Sequence, residues 1–267
     1  MARDSAIEWT DHTFNPWWGC AAVSPACDHC YAEALAKRFG YRTWGAKAPR
    51  RFFGDAHWSE PLKWNAQAVK SGMRMRVFCA SMADVFEKRV ELDVHRERLW
   101  ELIKDTPALD WLLLTKRPQL IAERLPCDWG AGYVNVWLGT TVENQMEATR
   151  RLPHLLGVPA AVHFVSAEPL LSGVDLRQWL DPRLGRRLGW VIAGGESGPR
   201  ARPSDPSWFR DLRDQCLGSN VPFHFKQWGN WAPNADGQAT RHSKAGAGRA
   251  LDGRTWDQLP MVAALAQ

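Results

Sequence analysis

Six short apolar runs along the chain end in polar residues. Val77-Phe78-Cys79-Ala80 passes into Ser81-Met82-Ala83-Asp84, and Trp111-Leu112-Leu113-Leu114 into Thr115-Lys116-Arg117-Pro118. Val134 to Gly139 leads to Thr140-Thr141-Val142-Glu143-Asn144, and Val162 to Val165 to Ser166-Ala167-Glu168-Pro169. Trp190 to Ala193 leads to Gly194-Gly195-Glu196-Ser197, and Pro222 to Phe225 to Lys226-Gln227-Trp228-Gly229. Runs this short, rich in β-branched and aromatic residues, predict strands buried on both faces. Helices fit around them: Pro61 to Lys70, Leu92 to Lys104, Gln119 to Leu125, Asn144 to Leu156 and Ser207 to Leu217. In the second, Leu92, Leu99, Trp100 and Ile103 recur at helical spacing. Asp205-Pro206 reads as an N-cap followed by a proline in the first turn.

Strand-helix alternation predicts a parallel sheet with right-handed crossovers. With a further strand expected around Ala6 to Phe14, the fold class is α/β, a partial or full (β/α) barrel. A doubly wound open sheet is the alternative. Residues 1–230 are assigned to the barrel. Residues 231–267, rich in glycine and polar residues up to Trp256, form a tail expected to pack on it.

Composition adds limits. Of 267 residues, 45% are hydrophobic and 24% charged, which excludes a disordered or fibrous chain. No apolar run approaches the roughly 20 residues of a membrane span, so no membrane association is expected. The opening residues pass directly into Arg3 and Asp4 without a signal-peptide core, and a cytoplasmic location is expected. A formal net charge of +5 suits an anionic partner such as nucleic acid or a phosphorylated metabolite, although it is also an ordinary surface charge for this length. Basic segments at Arg50-Arg51, Lys116-Arg117, Arg186-Arg187 and Arg200-Ala201-Arg202, with Trp and Phe for stacking, allow a nucleic acid substrate.

The strongest chemical signal is Cys20-Ala-Ala-Val-Ser-Pro-Ala-Cys27-Asp-His-Cys30, followed by a helix expected from Tyr31 to Phe39. Clustered cysteines in a cytosolic chain point to a metal rather than to disulfides. Three centres fit. Zinc would take a fourth ligand from His12 or His29. A cluster with four protein ligands would need a further cysteine. A 4Fe-4S cluster on three thiolates would keep one iron open. Cys79 falls within a strand and reads as a buried apolar residue, and Cys127 and Cys216 have no partner motif.

The segment Asn15-Pro16-Trp17-Trp18-Gly19-Cys20, with Val23-Ser24-Pro25 and Cys27-Asp28-His29-Cys30-Tyr31-Ala32-Glu33, resembles the DUF5131 family of bacterial and phage proteins. That family is similar to a divergent branch of the radical S-adenosylmethionine (SAM) superfamily related to spore photoproduct lyase. The resemblance continues through Ser81 to Asp84, Leu114 to Pro118, Trp137 to Gly139, Val142 to Asn144, Ser166 to Leu171, Gly194 to Gly198, Phe225 to Gly229 and Leu251 to Trp256. It implies a partial (β/α) barrel with a 4Fe-4S cluster on Cys20, Cys27 and Cys30, SAM at the open iron, and a 5′-deoxyadenosyl radical that abstracts hydrogen from a substrate. The cysteine spacing is C-x6-C-x2-C, three residues longer in its first step than the superfamily's C-x3-C-x2-C. His29 stands where an aromatic residue often lies near the adenine.

On this resemblance the strand ends share one mouth. Ser81 and Asp84 would hold the cofactor's ammonium, or else cap the next helix. Thr115, Lys116 and Arg117 would meet a carboxylate or phosphate, or else form a solvated turn before Pro118. Glu143 and Glu168 would serve a ribose diol or sulfonium, Glu143 being equally a first-turn helix charge, and Ser166 would join them at the cofactor. Gly194 and Gly195 would let the backbone approach the ligand. Glu196, Lys226 and Gln227 are the candidates to act on substrate. Trp17, Trp18 and Trp228 would keep the site dry. The chemistry calls for a reductant such as flavodoxin or ferredoxin, and a monomer is expected. A nucleic acid substrate is suggested by the related lesion-repair enzyme. The competing readings are a zinc-stabilised nucleic-acid-binding protein without catalysis and a cluster-bearing redox or sensing protein.

Overall fold

The computed structural model describes residues 2–3, 5, 7–234 and 236–261. Seven parallel strands carry the fold: β1 (His12–Thr13), β2 (Met75–Cys79), β3 (Leu109–Thr115), β4 (Val136–Thr141), β5 (Val162–Ala167), β6 (Trp190–Gly194) and β7 (Phe223–Gln227). Each pairs with its sequence neighbour, in unbroken order. A doubly wound sheet would reverse that order at a switch point, so the open-sheet alternative is excluded. The sheet is a half-barrel, and both edges are covered. Ala2–Arg3 pairs antiparallel with β1. At β7, the amide of Phe225 donates to Trp256 O (2.9 Å) and that of Gln258 to Phe223 O (3.3 Å). Such cover removes the exposed ladder that would invite edge-to-edge association. The expected first strand was drawn from Ala6, which lies outside the described residues, and within 7–14 the strand is only His12–Thr13. Of the expected tail, 235 and 262–267 lie outside the described residues.

Side chains alternate across the sheet, as the period of two requires. One face of it, with the outer helices, forms the large core around Val77, Trp111, Leu113, Leu138, Val165 and Val191. The other face gathers Phe78, Leu112, Trp137, Phe164, Trp190 and Ile192 with Trp9. Trp190 packs edge-on against Trp9 and Trp137, at 6.1 and 5.9 Å between ring centroids. Trp9, Trp137 and Trp190 thus form a plug in the concave face. Gly139 makes the plug fit: a Cβ there would stand 2.3 Å from the Phe164 ring.

The longer helices are α1 (Tyr31–Arg38), α2 (Glu60–Ser71), α3 (Asp93–Lys104), α4 (Gln145–Gly157) and α5 (Pro206–Gly218). The α4 start is capped by Asn144, whose side chain accepts from the Glu147 amide. The α5 start is capped by Asp205, with Pro206 in the first turn. The helix expected over Gln119 to Leu125 is instead two 3₁₀ turns, Pro118–Leu120 and Ala122–Arg124. The segment is bounded by Pro118 and Pro126. It is too short to offset the cost of helix nucleation.

Candidate active site

The C-terminal ends of the strands form the rim, and the cysteine loop lies over it. Gly19 sets the approach. Its amide donates to Met82 O (2.9 Å) in a bridge to the chain after β2. Its φ is +119°, and a Cβ would meet Thr43 O at 2.4 Å, so only glycine fits beside Cys20. Cys27 closes a 3₁₀ turn (Pro25–Cys27), and Cys30 is the N-cap of α1. All three thiols are free and half-buried. All three line one cavity of about 350 Å³, with Ser81, Asp84, Lys116, Arg117, Thr141 and Trp44 also on its wall.

Three strand ends hold the loop. After β3, Arg117 Nη2 donates to Ala21 O (2.7 Å), and Nη1 lies 2.8 Å from Asp84 Oδ2 and 3.6 Å from Cys20 Sγ. After β4, Glu143 Oε1 accepts from the Ala26 amide (3.4 Å), while its other oxygen accepts from Arg151 Nη1 (2.8 Å). After β6, Glu196 lies 3.1 Å from His29 Nδ1 and takes a fork of hydrogen bonds from Arg202 at 2.6 and 2.9 Å. Arg202 in turn donates to Pro25 O (3.0 Å) and Asp28 (3.3 Å). The long first step of the cysteine motif is therefore strapped to the barrel near both its ends, at Ala21 and at Pro25-Ala26.

These contacts set the charges. Burial alone would raise the carboxyls of Glu143 and Glu196. The Arg151 charge at the first, and the Arg202 hydrogen bonds at the second, outweigh burial and hold both below the ordinary carboxylate range. Burial pushes the Cys20 thiol up to about 12, Asp84 adding to the effect and Arg117 opposing it.

The structure sorts the other expected residues. Ser81, Asp84 and Lys116 face the cysteine cavity. Asp84 is already committed: Thr115 Oγ1 donates to it (2.7 Å), as do the amides of Phe86 (3.0 Å) and Lys116 (3.2 Å) and the Arg117 guanidinium. Asn15 Nδ2 donates to Ser81 Oγ (3.1 Å). Glu168 and Lys226 form an ion pair (2.9 Å), and Ser166 donates to Glu168 (3.1 Å). Gly194 makes room for Glu168: a Cβ there would meet Glu168 Oε1 at 2.6 Å. Gly195 makes room for the chain after β7, its Cβ position lying 2.0 Å from Trp228 O. The Gln227 carbonyl accepts from the Gly195 amide (3.0 Å). Glu143, Ser166, Glu168, Gly194, Gly195, Glu196, Lys226 and Gln227 do not line the cysteine cavity. Of the tryptophans expected to shield the site, Trp228 packs against Phe209 and Phe225 in the outer core. Trp44, which was not singled out for that role, is on the cavity wall.

Two of the basic segments are spent internally. Arg50 is buried, pairs with Glu87 (2.6 Å) and donates to the carbonyls of Thr43, Gly45 and Ala48. Arg186 and Arg187 donate to main-chain carbonyls of 156–157, 180 and 219. They line a recess with Val162, Gly189 and Pro222, at the opposite ends of the strands from the cysteines. Exposed Lys37, Arg38 and Arg42 on and after α1, with Arg200, remain on the cysteine side.

Arg202 and Thr141 were missed as site residues. Arg202 sits in a segment that reads as surface charge. Thr141 was legible, since period-two alternation from the inward Trp137 brings it to the concave face. It is 2% exposed, and its Oγ1 is buried without a hydrogen-bond partner at the cavity wall.

A seven-stranded half-barrel with three cysteines gathered over the strand ends is a partial (β/α) barrel of the radical-SAM type. The chain belongs to the DUF5131 family, described as a protein of unknown function, whose model matches residues 4–260. Among solved structures it is similar to spore photoproduct lyase complexed with dinucleoside spore photoproduct. That likeness has 11% identity and a TM-score of 0.50, over 81% of this chain and 74% of the other. A double mutant of spore photoproduct lyase with bound AdoMet and dinucleoside spore photoproduct gives 11% identity and a TM-score of 0.44, over 85% and 58%. No curated protein matches the sequence.

Proposed function

We propose that the chain is a radical SAM enzyme in which Cys20, Cys27 and Cys30 hold a 4Fe-4S cluster, with SAM beside it in the same cavity. The observation that carries this reading is the convergence of the three thiols on one cavity at the C-terminal rim. Its wall includes a buried, unsatisfied hydroxyl, that of Thr141. A buried polar group without a partner is costly, so Thr141 is suited to a ligand's hydrogen bond. The donor set is one a 4Fe-4S cluster accepts: three cysteine thiols on the wall of one chamber. Among the described residues no three His, Cys, Asp or Glu side chains are grouped closely enough to hold a single metal ion as they stand.

When bound, the cluster and cofactor supply a 5′-deoxyadenosyl radical, by one-electron cleavage of SAM at the expense of a flavodoxin- or ferredoxin-type reductant. The chain's own residues position and enclose. Arg117, Glu143 and the Glu196–Arg202 pair fix the loop. Lys116 offers a cation for a carboxylate, and Thr141 a hydroxyl. Phe78 and Leu114 make the floor apolar, and Trp44 walls one side, which keeps water from a reactive carbon centre. Glu168 and Lys226 stand farther along the rim as the groups to meet substrate.

The substrate we propose is a nucleic acid. The cations Lys37, Arg38, Arg42 and Arg200 lie on the cysteine side, and the structurally similar lyase was solved with a dinucleoside lesion. Anaerobic reconstitution with iron and sulfide is expected to give a brown protein with about four irons per chain. A colourless protein retaining one zinc would contradict the reading. Nucleic acid binding is expected to appear as a gel shift that weakens with salt. No shift at low salt would favour a small-molecule or peptide substrate.

A further inference from the structure

We infer that Arg117 is a positioning residue that sets the reduction potential of the cluster through Cys20. This inference rests on the cluster reading above. The guanidinium is buried at the end of β3 and cannot wander, because it is held at two other points: Asp84 Oδ2 at 2.8 Å and Ala21 O at 2.7 Å. Asp84 is itself fixed by the Thr115 hydroxyl and by the amides of Phe86 and Lys116. What remains of the Nη1 donor capacity points at Cys20 Sγ, 3.6 Å away. Among the described residues Cys20 alone of the three thiols has a side-chain donor on its sulfur. The frame is therefore asymmetric, with one corner of the cluster site held by a fixed cation and two corners without one.

A charge-assisted donor on a thiolate draws electron density from the metal and stabilises the reduced state, which raises the potential. Asp84 works the other way, since its carboxylate neutralises the same guanidinium. Removing Arg117 and removing the Asp84 charge must therefore move the potential in opposite directions. A merely structural role would distort the site in both variants and would not produce that opposition of signs.

The test is an anaerobic, dye-mediated dithionite titration of the reconstituted full chain. The reduced cluster is followed by electron paramagnetic resonance, and iron per chain is measured in parallel. Arg117→Gln is expected to shift the midpoint negative by about tenfold in the reduction equilibrium, about 59 mV for one electron. Asp84→Asn should shift it positive, and Arg117→Lys, which keeps charge without the fork, should fall between wild type and Arg117→Gln. Equal midpoints for wild type and Arg117→Gln at equal iron content would overturn the inference, as would shifts of the same sign in Arg117→Gln and Asp84→Asn. If Arg117→Gln fails to load iron, Asp84→Asn decides: a midpoint at the wild-type value overturns the inference, and a positive shift supports it. A wild-type chain that takes up no cluster would overturn the cluster reading itself, whereas a loaded chain indifferent to Arg117 would overturn this inference alone.

Discussion

Replacing Glu196 with alanine removes the acceptor that joins the end of β6 to the cysteine loop. Four hydrogen bonds go with it: two from the Arg202 side chain, one from the Arg202 amide (2.7 Å), and the His29 contact. The Glu196 side chain is 5% exposed and that of Arg202 29%. Breaking a fully buried pair costs about 3–5 kcal/mol, and an exposed pair is worth about 0–1 kcal/mol. Arg202 can regain part of its hydration, so about 2–3 kcal/mol is expected here. The loss falls on local opening of the loop rather than on global unfolding, because the sheet and the outer core are untouched. At 1.4 kcal/mol per tenfold, that is an increase of about 30- to 140-fold in the opening equilibrium. The reporters are the amides of Cys27, Asp28 and Cys30, which donate to Ser24 O, Pro25 O and Cys27 O within the loop. Their hydrogen exchange in the cluster-free chain should accelerate by that factor in Glu196→Ala. Glu196→Gln keeps an acceptor oxygen and should show a smaller change. Wild-type exchange at all three amides in Glu196→Ala would refute the strap.

Three other outcomes follow from the packing. His224 is buried with neither ring nitrogen hydrogen-bonded, and burial lowers its pKa from 6.5 to about 4. The neutral ring is the folded form, so the unfolded chain takes up the proton first. Stability should be intact above pH 6.5 and fall by about 3 kcal/mol in all as the pH drops to about 4. In urea titrations His224→Phe should flatten that slope, and an unchanged slope would contradict the assignment. Gly139→Ala drives a methyl into the Phe164 ring and should cost at least about 1–3 kcal/mol by thermal melting. Partial recovery is expected in Gly139→Ala with Phe164→Leu, and simple additivity would argue against the contact. Arg50→Met leaves Glu87 buried and unpaired, and should destabilise by about 3–5 kcal/mol while leaving any gel shift of the surviving folded protein unchanged. A lost shift at normal stability would return Arg50 to the binding surface.

The sheet was legible because buried parallel strands advertise themselves as continuous apolar runs, and all six runs became strands. The pattern placed a first strand within residues 6–14 but not its length, only two residues, and it did not give the fate of 118–126, where two prolines override a helix-compatible composition. The three cysteines were legible by spacing. The roles of the charges were not. Glu143 read as a ligand acceptor and Glu196 as a candidate to act on substrate, yet both hold the chain's own loop, because the fold turns Arg151 and Arg202 onto them. Arg50 looked like surface charge, and only the buried Glu87, 37 positions away, shows otherwise.

The most direct measurement is chromatography for 5′-deoxyadenosine. The anaerobically reconstituted chain is incubated with SAM and dithionite beside a Cys30→Ala control. The account expects 5′-deoxyadenosine from the wild type and none above background from the control. A wild-type chain that carries its full iron yet leaves SAM intact, or a control that cleaves it equally well, would contradict it.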